Sequence, residues 1–133
     1  MFNFSLDAQV CGIERSVRAE VDGLGIVVHH AEGIRRARSW SEAIRFAEED
    51  IGRFLRPARR PGVPWGLRVT VPDGSAVYGE WPLIPSSGSP SPDFRRSPLS
   101  RIRERWSGSN AHSALENAVA IIRAYAPRGR AAA

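Results

Sequence analysis

Lysine is absent from this chain. All strong positive charge is arginine, 19 residues against 14 acids, for a formal net charge of +5. GC-rich coding can produce such usage, but it changes which cation is used and not where cations sit. Cysteine is reduced to Cys11, so no internal disulfide can form and nothing argues for secretion. No apolar run approaches the roughly 20 residues that a membrane-spanning helix requires. The opening Met1-Phe2-Asn3-Phe4-Ser5 has neither the basic start nor the apolar stretch of a secretion signal. Together these absences predict a cytoplasmic protein with no membrane partner. Its 133 residues, 42% hydrophobic and 25% charged, are enough to bury a core without staples.

What is present is an uneven distribution of charge. Residues 1–83 hold 11 arginines and 11 acids, whereas residues 84–133 hold 8 arginines and 3 acids. The change follows a Pro/Ser/Gly stretch, so the basic half reads as a functional layer on a nearly neutral core. Guanidinium presents a planar fork of donors that suits phosphate and carboxylate, which points to an acidic partner, nucleic acid first. The densest group is Arg95, Arg96, Arg101, Arg103 and Arg105; Arg35, Arg36 and Arg38 form another, and Arg56, Arg59 and Arg60 a third. The first two groups are the expected contact residues. Interleaving with Trp106 would suit base stacking, although Trp106 also has a place in a core beside Ile102.

Periodicity predicts an α+β fold. Phe2, Phe4 and Leu6 alternate with polar residues, as do Val17, Ala19 and Val21; Ile26-Val27-Val28 follows the turn Asp22-Gly23-Leu24-Gly25. A three-stranded antiparallel meander is expected. A helix over Ser39 to Arg56 carries one apolar stripe of Trp40, Ala43, Ile44, Ala47, Ile51, Phe54 and Leu55. Ser39 and Glu42 have capping-box spacing, Glu49 precedes Arg53 by one turn, and Pro57 ends the helix. Leu67, Val69 and Val71 lead through Pro72-Asp73-Gly74-Ser75 into a second hairpin strand with Val77, Gly79, Trp81 and Leu83 on one face. Residues 84–98 read as a Pro/Ser-rich arm or linker. Two C-terminal helices are expected within a basic segment, 99–133, packed on the core domain, 1–83. One carries Leu99, Ile102 and Trp106 opposite Arg101 and Arg105; the other runs from about Ser109 to Ala126. The expected architecture is thus an antiparallel sheet, meander plus hairpin, packed on one amphipathic helix.

Residues 22–56 resemble the small domain of HicB-type antitoxins. The resemblance rests on Asp22-Gly23 followed by Gly25-Ile26-Val27-Val28, on Gly33 before Arg38-Ser39-Trp40-Ser41-Glu42-Ala43, and on Ala47 and Leu55 at packing positions. Glu32-Gly33 stands where the family has Pro-Gly. No ribbon-helix-helix or helix-turn-helix segment is visible at the C-terminus. The resemblance implies a strand, strand, helix, strand order and a regulatory role.

Chemistry-bearing residues are few. His29 and His30 are adjacent on a strand and point to opposite faces, so they do not grip one ion. His112 and Cys11 add no ligand spacing, and no glycine-rich phosphate loop is present. The sequence therefore assigns no metal, cofactor or catalytic residues. Glu48-Glu49-Asp50 reads as a solvated helix face. The leading expectation is a small non-enzymatic binding or regulatory protein that contacts nucleic acid or a nucleoprotein complex through its arginines. A second is a protein–protein docking module, such as a phage or mobile-element inhibitor of a host complex, acting through an edge strand or the Pro/Ser arm. A third is an enzyme using Cys11 or His29 and His30.

Overall fold

Alternating burial decides which side of the sheet is covered. In β1 (Phe4–Val10), Phe4, Leu6, Ala8 and Val10 are buried, and the residues between them are half-buried, as expected for a strand with one face on a core. A computed structural model describes residues 2–60, 62–79 and 111–127. β1 pairs antiparallel with β2 (Ile13–Asp22) on one side and β5 (Trp65–Val71) on the other. β3 (Gly25–His30) and β4 (Gly33–Ala37) extend the β2 side, and β6 (Gly74–Gly79) extends the β5 side. The six-stranded sheet has the order β4-β3-β2-β1-β5-β6. α1 (Trp40–Phe54) lies over β1 to β4, and α2 (Ala111–Tyr125) lies over β5 and β6 and against α1. The fold is α+β, with both helices on one face of an antiparallel sheet.

The α1 stripe behaves as its spacing predicts: Trp40, Ala43, Ile44, Ala47 and Ile51 are buried in one cluster with Leu6, Val17, Val28 and Val69 from the sheet. Ser39 caps the helix by accepting from the Glu42 N–H at 3.1 Å. The other half of the box differs, because the Glu42 carboxylate accepts from the Arg38 N–H at 2.8 Å rather than from Ser39. Phe2 precedes β1 and packs edge-on against Trp40 at 4.8 Å between ring centroids. After the C-cap at Leu55, residues Arg56–Arg59 form a 3-10 turn around Pro57.

Several expectations are corrected. The N-terminal meander has four strands, since the chain turns at Ala31-Glu32 and β4 pairs His30 with Gly33 and Ile26 with Ala37. The sheet packs on two helices, because Ala114, Leu115, Ala118, Val119 and Ile122 of α2 join the same core as α1. Of the two expected C-terminal helices, the Leu99–Trp106 one lies outside the described residues, as does the 84–98 arm. In β6 the buried residues are Ala76 and Tyr78, not Val77 and Gly79. Val71 pairs directly with Gly74 across a two-residue turn, Pro72-Asp73, so Ala76 and Tyr78 stand opposite the buried Val69 and Leu67 and share their face. Arg53 pairs with Asp50 at 3.7 Å, not with Glu49. Among the described residues no helix is long and apolar enough to cross a membrane.

Candidate functional site

Charge neutralisation sorts the described arginines into two sets. On the open face of the sheet, Arg68 lies 3.8 Å from Asp7, whose other oxygen accepts from the Ser16 hydroxyl at 2.6 Å. Arg18 and His29 both approach Glu20, at 3.7 and 2.9 Å. Arg36 donates to Asp22 at 2.7 Å, and this bond, with the Leu24 N–H bond, holds the Asp22 carboxyl below its ordinary value. Arg15, Arg45, Arg53 and Arg123 also have acid partners. Arg35, Arg38, Arg56, Arg59 and Arg60 have no acid partner among the described residues.

Three of those five converge. Arg35 from β4 and Arg56 and Arg59 from the 3-10 turn line a groove of about 530 Å³ over the outer side of α1, closed at its far side by Ala111, His112 and Leu115 of α2. Gly52 also lines the groove, and an added Cβ there would sit 3.4 Å from Leu115 Cδ2, so α2 approaches bare backbone. Arg35 is held in place by Phe46, its guanidinium 3.6 Å from the ring centroid. That stacking leaves the donor edge of the fork available. Glu48 and Glu49 also line the groove, but Arg123 lies 3.9 Å from Glu48. The balance is positive.

The expected contact residues divide accordingly. Arg35 lines the groove, Arg36 is committed to Asp22 on the open face, and Arg38 is exposed where β4 passes into α1. Arg95, Arg96, Arg101, Arg103 and Arg105 lie outside the described residues. Arg56 and Arg59 appear in the sequence only as one of three basic clusters; their convergence with Arg35 depends on how β4 is laid beside α1.

A second polar cluster sits under the C-terminal half of α1. His29 and His30 do separate: His29 faces Glu20 on the open side, and His30 ends β3 on the helix side. Asp50, expected on a solvated face, is only 6% exposed. It points inward toward Arg15, 3.5 Å away, which also lies 3.7 Å from Glu32. Cys11 is not among the residues of this cluster. It occupies a left-handed turn position (φ 52°) between β1 and β2, with its N–H bonded to the Pro64 carbonyl at 3.0 Å. His29 is opposite Arg18, roughly 20 Å along the strand from Cys11 at strand rise, so the geometry does not assemble a Cys–His pair. No protein-family model, curated protein or solved structure matches the chain.

Proposed function

We propose that the protein is a non-enzymatic binding protein that takes the phosphate backbone of a nucleic acid in the arginine-lined groove. The observation that carries this reading is that Arg35, Arg56 and Arg59, none with an acid partner among the described residues, line one groove. Contacts of this kind hold a backbone in place without reading its sequence. Resemblance of residues 22–56 to antitoxin small domains accords with a regulatory rather than a catalytic role.

Anisotropy of labelled DNA and RNA of arbitrary sequence, measured across salt concentrations, tests the proposal. Wild-type affinity is expected to fall with salt. The Arg35→Ala/Arg56→Ala/Arg59→Ala protein is expected to lower the log–log slope by about 2–3, at about 0.7–0.9 for each phosphate that is no longer neutralised. Arg18→Ala/Arg68→Ala, on the opposite face, should leave the slope unchanged. A wild type that binds neither nucleic acid at low salt refutes the reading. The second reading would then lead: β4 is an edge strand with Ile34 59% exposed just before Arg35 and Arg36, suited to pairing with an acidic extended segment of a partner protein.

A further inference from the structure

We propose that His30, Glu32 and Asp50 bind a divalent transition-metal cation, zinc first. The three come from different elements: the last residue of β3, the β3–β4 turn, and the inner face of α1. One ligand atom from each lies within 4.8 Å of the others. Tetrahedral zinc, with bonds of about 2.0–2.2 Å, holds its donors about 3.4 Å apart, so closure requires side-chain shifts of about 1 Å.

Two of these side chains carry buried polar atoms with no hydrogen bond, His30 Nε2 and Asp50 Oδ2. A carboxylate this deeply buried is expensive without a bonded partner. Arg15 and Arg53 supply opposite charge, but at 3.5 and 3.7 Å they stand outside the 2.7–2.9 Å of a charge-assisted hydrogen bond. A cation bonded to both atoms satisfies them together. Glu32, whose side chain is 71% exposed, gives the ion its route from solvent.

The donor set selects the metal. An imidazole nitrogen with two carboxylates suits zinc and its first-row neighbours, whereas magnesium and calcium favour oxygen throughout. Three protein ligands leave a fourth position to water. Loading has two structural costs. Arg15, which bridges Glu32 and Asp50, gives up that position and retains the Phe54 ring, 5.9 Å from its guanidinium carbon. His30 Nδ1 accepts from the Glu32 N–H at 3.3 Å, so the ring proton must move to Nδ1 and this long bond must open. Metal binding then fastens the β3–β4 turn to α1.

The test is zinc titration of the full chain by calorimetry, with thermal melts in parallel. Wild type is expected to take one equivalent and melt at higher temperature when loaded. His29→Ala and Cys11→Ser should bind like wild type. Glu32→Gln, at an exposed position that does not endanger folding, should weaken zinc at least tenfold and abolish its effect on melting, and His30→Ala should do the same. Zinc uptake equal to wild type in Glu32→Gln overturns the assignment, as does a wild type that takes up none. Glu32→Gln should bind nucleic acid unchanged, so this site and the groove stand or fall separately.

Discussion

Replacing Ile51 with alanine tests the packing on which every other placement depends. Ile51 is fully buried, in one cluster with Ala43 and Ala47 of α1 and with residues of five strands. Removing three carbons costs about 2.4 kcal/mol in transfer free energy, at about 0.8 kcal/mol per methylene. A cavity that does not collapse adds up to about 2 kcal/mol. The sheet beneath is hydrogen-bonded on both sides at β1, β2, β3 and β5, so the backbone has little freedom to fill the space. A loss of about 3–4 kcal/mol is expected, and Ile51→Val should lose about 0.5–1.5 kcal/mol. In urea, with a slope near 2 kcal/mol/M, the alanine protein should shift its midpoint down by about 1.5–2 M. A loss under about 0.5 kcal/mol would mean that α1 does not lie on this sheet, and the groove and the polar cluster would both lose their basis.

Gly79 pairs with Gly66 at the end of β6 in a left-handed conformation, φ +69°, and an added Cβ would meet the Trp65 carbonyl oxygen at 2.7 Å. Gly79→Ala should cost about 1–3 kcal/mol in urea melts, since left-handed backbone alone costs an L-residue about 1–2, while Gly23→Ala, with open space around it, should cost little; equal effects would refute the close approach. The Asp22 carboxyl should titrate by NMR below the ordinary 3.8, chiefly because Arg36 donates to it. A depressed folded value means that its contribution to stability is present above the ordinary value and is lost as pH falls through the lowered one. Arg36→Ala should raise the midpoint, and an unmoved midpoint would refute the pairing.

Local signals carried most of the fold. Alternation marks β1 and β2, the stripe marks α1, and Ser39 marks its start, because each depends on neighbours within a few residues. β4 escaped because Gly33-Ile34-Arg35-Arg36-Ala37 is exposed at nearly every position, as an edge strand at the margin of the helix layer can be. No apolar alternation is then required of it. The β6 face is set by pairing rather than by local composition: Ala76 and Tyr78 stand opposite the buried Val69 and Leu67, and the alternation of Val77 and Gly79 alone does not show which partner each meets. Asp50 was misread because charge runs are usually solvated, and only Arg15, far off in sequence on β2, gives this one a reason to face inward.

The candidate surface was less legible for a related reason: the number of arginines says little, and their pairing says more. Arg35 and Arg36 are neighbours in sequence, yet strand geometry sends Arg36 to Asp22 on the open face and Arg35 over Phe46 toward the groove. A reading by clusters weights the two equally. Once folded, one is already neutralised and the other is held with its donors available. Arg56 and Arg59 acquire their meaning in the same way, from the 3-10 turn around Pro57 and from a glycine at position 52 that lets α2 close the far wall. Among the described residues, unpaired positive charge is therefore a property of tertiary placement. A variant set that separates Arg35 from Arg36 distinguishes a located groove from diffuse attraction: Arg35→Ala should reduce the salt slope of binding and Arg36→Ala should not.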